Sequence, residues 1–201
     1  TPMSDGNDLL ADRKANAKKA TVADTLSTYT YVFNTNNPLF ADKNVRLALS
    51  LALDREAMAE AVTFAKAATG FLPDTVIDTA TGKKFRTDAL LGTGADLTAA
   101  REALAKAEIP AGTARAFTLT VNDDAENRAL AALAKAAWEE LGFSVTIKYA
   151  EPVTNSVYDV STGERLTITD SGMQTLVKEA SVGKADFDVM GIEWQMYSRD
   201  A

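Results

Sequence analysis

The feature that most constrains the fold is an alternation of helix-like and strand-like segments along the second half of the chain. From Asp96 onward the apolar pattern predicts six segments in turn: a short helix, a strand at Phe117–Val121, a helix over 124–141, a strand at Phe143–Tyr149, a helix over 171–182 and a strand at Phe187–Ile192. Strands separated by helices pair in parallel through right-handed crossovers. The sequence therefore predicts one α/β domain with a mixed, mainly parallel sheet flanked by helices.

The segment over 124–141 is the clearest helix of the sequence. One apolar stripe runs along it at helical spacing, formed by Leu130, Leu133, Ala134, Ala137, Trp138 and Leu141. Gly142 follows at the position where a left-handed residue commonly ends a helix. Because Trp138 lies on this stripe, we expect its indole to be part of the core.

The first half predicts a lead-in, a strand and a helix pair. Residues 1–24 are polar and rich in Ala and Lys, with a possible helix at Asp8–Ala20, and the folded domain is expected over 25–201. A strand is predicted at Thr25–Asn34. Asp42 and Asp54 then cap two helical segments, the second running to about Ala67.

Two stretches lack a clear period. Residues 70–95 contain several Gly and one Pro, and residues 151–170 read as a long polar connection. Loops of this length are uncommon unless they are functional or pack on something else.

Charge and composition limit the possible functions. The net charge of −7 opposes binding to nucleic acid, whose phosphates need clustered Lys and Arg. The chain has no Cys and no His, so it lacks the commonest general base and the commonest transition-metal ligand. No window approaches the roughly 20 apolar residues of a membrane span. We expect no cofactor, no metal and no catalytic residue; an enzyme would depend on Lys, Asp or Glu.

A candidate ligand site lies near the end of the last predicted strand. In α/β sheets, ligands bind beyond the carboxyl ends of the strands. Trp194, with Glu193, Gln195 and Tyr197, could line a pocket there. The alternative is a Trp that simply packs in the core at the end of a strand, and the position of Trp194 leaves both open.

Residues 33–55 resemble a known family. Phe33-Asn34, then Pro38-Leu39-Phe40, then the block Asn44–Arg55 follow in order the pattern Phe-Asn … Pro-Phe … Val-Arg-x-Ala-Leu-x-x-Ala-x-Asp-Arg. This pattern is similar to that of the family 5 extracellular solute-binding proteins, the oligopeptide-, dipeptide- and nickel-binding receptors of ABC importers. The resemblance extends over roughly 25–200 through the segments Gly70-Phe-Leu-Pro73, Asp96–Ala107 and Phe187-Asp-Val189 with Trp194.

The resemblance implies a fold and a place in a larger protein. Family members have two lobes of the periplasmic-binding-protein type (class II) that close on ligand. This chain resembles the second lobe, excised from a longer protein. The missing first lobe and a membrane permease would then be its partners, and the location would be extracytoplasmic, in the periplasm or on the cell surface, with a lipid anchor in the full-length protein.

The resemblance also carries over residue by residue. Trp194 matches a Trp that would contact ligand, whereas Asp54 and Arg55 match positions that we interpret as structural. In the oligopeptide-binding members a Trp-x-x-Asp motif supplies the carboxylate for the peptide's amino terminus. Here Tyr197 stands at that Asp position, so Asp200 and Glu193 are the candidate substitutes.

Several functions stay open at this point. The expected function is delivery of peptides to an ABC-type importer. The same family could instead bind an oligosaccharide, a nickel chelate or another solute. A small α/β enzyme using carboxylate or Lys chemistry, and a domain that senses peptide without transporting it, are the alternatives from other classes.

Overall fold

The structure, a computed structural model, describes residues 25–62, 64–184 and 186–196. Its strands are β1 Ser27–Phe33, β2 Ala116–Asn122, β3 Ser144–Ala150, β4 Val153–Asp159, β5 Glu164–Asp170 and β6 Val189–Gln195. Its helices are α1 Pro38–Ala41, α2 Lys43–Leu51, α3 Arg55–Glu60, α4 Leu97–Ala105, α5 Ala125–Glu140 and α6 Gly172–Ser181. Over these ranges, no helix is both long and apolar enough to cross a membrane.

Four strands form the main sheet in the order β1-β6-β2-β3. β2 runs parallel to β3 and to β6, while β1 pairs antiparallel with β6. The sheet is therefore mixed and mainly parallel, as predicted. Helices α5 and α6 provide the crossovers from β2 to β3 and from the hairpin to β6.

The core lies on one face of this sheet, with Trp138 at its centre. The indole is fully buried, and its Nε1 donates a hydrogen bond of 2.8 Å to the carbonyl oxygen of Leu49. The rings of Tyr31, Phe33 and Phe117 surround it, with centroids 5.2, 6.3 and 5.4 Å away. The prediction that Trp138 belongs to the core is confirmed.

Aspartates begin most of the longer helices. The side chains of Asp42, Asp54, Asp96 and Asp124 each accept a hydrogen bond from a backbone N–H in the first turn of α2, α3, α4 and α5. The backbone N–H of Glu108, followed by that of Asn44, lowers the pKa of Asp42. The caps predicted at Asp42 and Asp54 are therefore confirmed, and Asp96 and Asp124 cap their helices in the same way.

The residues after Asp54 also serve the fold. Arg55 donates from Nη2 to the carbonyl oxygen of Ser50 at 2.9 Å and to its Oγ at 2.8 Å, and from Nη1 to the carbonyl oxygen of Leu53 at 3.3 Å. Arg55 thus joins the start of α3 to the end of α2, which agrees with the structural interpretation of Asp54 and Arg55.

Three sequence-based boundaries are wrong. α3 ends at Glu60, not near Ala67, and Phe64 has a φ of +60°, which a right-handed helix cannot contain. Residues 151–170 are not a plain connection, because β4 and β5 form an antiparallel hairpin there. The last strand continues beyond Ile192 to Gln195, since β1 offers pairing partners along its whole length. The possible helix at Asp8–Ala20 lies outside the described residues.

Two of the resembling segments meet at one edge of the sheet. Asn34 Nδ2 donates to the carbonyl oxygen of Phe187 at 2.8 Å, and Asn37 Nδ2 donates to Asp188 Oδ1 at 2.7 Å. The other carboxylate oxygen of Asp188 accepts the backbone N–H of Thr118 at 2.8 Å. These bonds join β1, α1, β2 and the start of β6, so the segments stabilise the fold at the edge opposite to Trp194.

Gly172, the first residue of α6, allows the helix to approach the end of β3 closely. A Cβ at this position would lie 2.3 Å from the carbonyl oxygen of Glu151 and 2.6 Å from the carbonyl carbon of Ala150. Because both atoms are backbone, we expect Gly172→Ala to lower the free energy of unfolding by about 1–3 kcal/mol. Urea denaturation followed by circular dichroism measures this change.

Gly92→Ala is the matched control for this substitution. A Cβ at Gly92 would meet no atom within 4 Å, and its φ is not positive. We expect its effect to stay within about 0.5 kcal/mol. Equal effects of the two substitutions would contradict the close approach at Gly172.

Candidate functional site

The candidate site lies at the edge of the main sheet where the parallel strands end, here called the C-terminal edge. β2 ends at Asn122, β3 at Ala150 and β6 at Gln195, and β1 begins there at Ser27. Helices α5 and α6 also begin at this edge. Ligands of open α/β sheets bind beyond the carboxyl ends of the strands, so this edge is the expected place for a site.

Trp194 is a half-exposed aromatic side chain at this edge. It lies within β6, opposite Thr28 of β1, and 49% of its surface is exposed. On the same face of β6, Met190 is buried, so this face passes from buried to exposed as the strand reaches the edge. The alternative of a fully packed core Trp is therefore wrong for Trp194.

Phe71 is the neighbour of Trp194 that the sequence analysis did not single out. Its ring centroid lies 6.2 Å from that of Trp194 with an interplanar angle of 47°, and 48% of the residue is exposed. Phe71 belongs to the aperiodic stretch 70–95. The available sequence signal was an aromatic residue between Gly70 and Pro73 in a loop too long to be only a connection.

Glu193 and Gln195 lie at the same edge but on the other face of β6. Both are exposed. In the pairing of β6 with β1, Glu193 lies opposite Tyr29 and Gln195 lies opposite Ser27. Because residues alternate along a strand, their side chains lie on the face opposite to that of Trp194. The structure thus brings these three candidates to one end of the sheet but does not place them in one cluster. Tyr197 and Asp200 lie outside the described residues.

Tyr29, opposite Glu193 in the sheet, is an uncharged neighbour of this carboxylate. Its hydroxyl is buried against Gly191, where an added Cβ would lie 2.3 Å from the oxygen. Burial, followed by the negative charge of Asp124, raises the pKa of Tyr29. Tyr29 therefore remains neutral at physiological pH and leaves Glu193 as the charged group of this face of β6.

Asp123 and Glu139, near the two ends of α5, have basic partners. Asp123 binds Arg128 at 2.5 Å, and the Arg128 guanidinium lies 4.3 Å above the ring of Tyr149. Lys135 hydrogen-bonds Glu139 and lowers its pKa. Among the residues that the structure describes, no group of three or more acidic side chains is placed to hold a metal ion.

A shallow cavity of about 170 Å³ lies elsewhere, between α3, α4 and the second half of α5. It is lined by small and apolar residues with two acidic ones: Ala52, Leu53, Asp54, Ala57, Met58, Ala95, Leu97, Leu133, Ala137 and Glu140. Ligand pockets usually measure about 300–1,000 Å³. Since α5 begins at the C-terminal edge and Glu140 is its last residue, this cavity is remote from Trp194.

Solved structures with the same fold include proteins described as binding oligopeptides or a murein tripeptide. The substrate-binding domain of an oligopeptide ABC transporter from Bacillus anthracis matches with a TM-score of 0.71 and 18% identity, over 95% of this chain and 34% of that one. AppA, an oligopeptide-binding protein from Bacillus subtilis solved with a nonapeptide, matches with a TM-score of 0.63 and 21% identity, over 96% and 39%. The murein tripeptide binding protein MppA of Escherichia coli gives 0.63 and 24%, over 97% and 34%.

These matches confirm the fold of a partial lobe with a mixed α/β sheet. The chain spans only about a third of the length of these structures.

A search of curated proteins gave no match. The model of the family described as bacterial extracellular solute-binding proteins, family 5 (middle), matches residues 4–198, nearly the whole chain. This is a family of transport receptors and not of enzymes. The chain therefore belongs to family 5 of the bacterial extracellular solute-binding proteins.

Proposed function

We propose that this chain is the second lobe of a longer, two-lobed receptor that binds peptides outside the cytoplasmic membrane and delivers them to an ABC-type importer. The family match over residues 4–198 carries the proposal. Two structural neighbours support peptide as the ligand class, because one is described as a murein tripeptide binding protein and another was solved with a nonapeptide.

The position of the exposed groups agrees with a half-site. Trp194 and Phe71 present their rings, and Glu193 and Gln195 their polar groups, at the C-terminal edge of the sheet. A first lobe facing this edge would complete the site and exclude water when the two lobes close. The lobe alone is then expected to bind weakly, since it supplies only part of the contacts.

In this proposal, hydrogen bonds to the peptide main chain and contacts made by Trp194 and the carboxylates have different roles. The main chain of an extended peptide would be held by hydrogen bonds, which do not depend on its sequence. Trp194 would contact an apolar part of the ligand. Glu193, an exposed carboxylate next to a neutral Tyr29, is the candidate for the ammonium group of the peptide, and Asp200 is the other one.

The remaining partners follow from the same proposal. The family is described as extracellular, and the receptor would be held at the membrane by a lipid anchor close to its permease. An oligosaccharide, a nickel chelate or another solute would require the same two-lobed arrangement, so the binding experiment includes them as competing ligands.

The test is a thermal-shift and calorimetric screen of the complete product of the gene. Peptides of two to ten residues are compared with the same peptides acetylated at the amino terminus and with oligosaccharides and nickel chelates. A ligand at about 100 times its Kd adds about 2.7 kcal/mol of stability. Stabilisation by free peptides supports the proposal, and its loss on acetylation assigns a role to the ammonium group. A response only to another ligand, or to none, removes peptide delivery.

In the same assay we expect Trp194→Ala to weaken peptide binding by about 2 kcal/mol, or roughly thirtyfold, as for a buried aromatic contact. Tyr158→Ala is the control, because Tyr158 is an exposed aromatic residue near the tip of the hairpin of β4 and β5, which is not part of the main sheet. Equal affinities of the wild type and the Trp194 variant would contradict a ligand contact at Trp194.

A further inference from the structure

We infer that Phe71 and Trp194 together form a subsite for one planar, apolar side chain of the ligand, and that Arg86 is the positioning residue that holds Phe71 in it. The inference rests on the proposed function and specifies what the site selects. We call the two rings the aromatic pair. Their centroids are 6.2 Å apart and their planes meet at 47°. About half of each residue is exposed.

Arg86 organises the loop that carries Phe71. Its side chain is only 14% exposed, and its guanidinium donates four hydrogen bonds within the loop. Nη1 donates to Thr69 Oγ1 at 2.9 Å and to the carbonyl oxygen of Asp88 at 2.8 Å, while Nη2 donates to the carbonyl oxygen of Leu72 at 3.3 Å and to Asp74 Oδ1 at 2.8 Å. Arg86 therefore binds the chain on both sides of Phe71.

Gly70 permits this arrangement. A Cβ at Gly70 would lie only 3.0–3.2 Å from the guanidinium atoms of Arg86, so the flat group packs directly on the backbone next to Phe71. Two further contacts hold the loop, since Val76 is buried and the backbone N–H of Leu90 donates to the carbonyl oxygen of Thr69 at 3.0 Å. The position of Phe71 is thus set by its neighbours and not by its own burial.

The size of the aromatic pair fits a side chain and not a protein partner. A fully covered aromatic residue buries about 150–250 Å², so two half-exposed rings offer roughly 200 Å². A stable protein interface needs about 800 Å² from each partner. A single aromatic or large aliphatic side chain matches the smaller area.

The charges near the pair favour an apolar group over a cationic one. The carboxylate of Asp74 is paired with Arg86 at 2.8 Å. Glu193 lies on the opposite face of β6 from Trp194. Neither carboxylate is therefore positioned to neutralise a cation on the aromatic pair.

The experiment measures whether the complete product of the gene binds peptides with one Phe more tightly than peptides without it. Isothermal titration calorimetry compares Ala-Ala-Ala-Ala with four peptides that carry one Phe, and four that carry one Lys, at each position in turn. We expect Phe at one position to raise the affinity about tenfold, and Phe71→Ala to bring this ratio close to one. Phe85→Ala is the control, because Phe85 is 53% exposed in the same loop. It should leave the ratio unchanged.

Arg86→Lys tests the positioning role, since Lys keeps the charge but not the forked donors. We expect the Phe preference to fall as in Phe71→Ala, and quenching of Trp194 by acrylamide to increase as Phe71 moves away. Trp138 is fully buried, and the same measurement on Trp194→Phe subtracts every other Trp of the complete product, so the difference reports on Trp194. An Arg86→Lys variant with the full preference and unchanged quenching would overturn the role of Arg86.

The outcomes separate this inference from the proposed function. No preference for Phe in the wild type, a preference for Lys, or a preference that survives Phe71→Ala overturns the subsite while peptide binding stands. If no peptide binds, the proposed function fails. The subsite is then tested with N-acetylphenylalanine amide, which carries the Phe side chain without a longer peptide. A saturable change in Trp fluorescence on adding this compound, absent from Trp194→Phe and removed by Phe71→Ala, supports the subsite. No change in the wild type overturns it.

Discussion

Trp138→Ala is expected to lower the free energy of unfolding by about 3–5 kcal/mol, the largest loss that we predict for this chain. The substitution leaves a cavity among Tyr31, Phe33 and Phe117, whose rings contact the indole. It also removes the donor to the carbonyl oxygen of Leu49, which has a 2.8 Å hydrogen bond in a buried setting. Domains are stable by only about 5–15 kcal/mol, so the loss is a large share of the total.

Urea denaturation followed by far-ultraviolet circular dichroism measures this loss. Trp194→Ala is the matched control, because it removes the other Trp of the chain from a half-exposed position, and its effect should stay within about 0.5 kcal/mol. Trp138→Phe should give an intermediate loss, since it keeps a ring but not the donor. Similar losses for the two alanine variants would contradict the central place of Trp138.

Asp188→Ala is expected to lower the free energy of unfolding by about 2–3 kcal/mol. Its two carboxylate oxygens accept from Asn37 Nδ2 at 2.7 Å and from the backbone N–H of Thr118 at 2.8 Å, and both donors would lose their partner. Hydrogen bonds to charged groups are worth about 1.5–3 kcal/mol, and a part-buried donor without a partner costs more than an exposed one.

Asp186→Ala is the control for this substitution, because Asp186 is an exposed carboxylate two residues earlier. We expect an effect within about 0.5 kcal/mol for it. The same denaturation experiment applies. An Asp188 variant as stable as the Asp186 variant would show that the bonds between β1, α1, β2 and β6 do not stabilise the sheet.

The role of Asp188 bears on how the family resemblance is interpreted. Phe33-Asn34 and Phe187-Asp188 are far apart in the sequence, yet the structure joins them at the edge where β1 ends and β6 begins. The ligand candidates lie at the opposite edge. The resembling residues Asn34, Phe187 and Asp188 therefore serve the fold. Ligand preference is expected to depend on Phe71 and Trp194, which belong to other resembling segments.

The helices of the second half and their caps could be predicted because their signals are local. Asp96 and Asp124 precede apolar stripes, and each accepts a hydrogen bond from the first turn that follows it. Gly142 has a φ of +86° directly after α5, as expected of a residue that ends a helix. Such signals involve atoms a few residues apart, so backbone geometry alone decides them.

The hairpin of β4 and β5 could not be predicted in the same way. Its strands lie outside the main sheet and pair only with each other, and Val153, Val157 and Leu166 remain partly exposed. A two-stranded ribbon buries little, so its sequence need not show the strict alternation of a strand that covers a core. The end of β6 at Gln195 has a related reason, because the last residues of this strand depend on pairing with β1.

The sequence by itself determined the α/β class, the caps at Asp42 and Asp54, the stripe around Trp138 apart from the exposed Leu133, and the place of Trp194 near the end of the last strand. Only the tertiary structure decided that Phe71 meets Trp194, that Glu193 lies on the other face of β6, and that Asp188 binds Asn37. The physical reason is the range of the interactions. Helix periods and caps depend on neighbours along the chain, whereas these contacts depend on strand order and register, which are set by packing of the whole sheet.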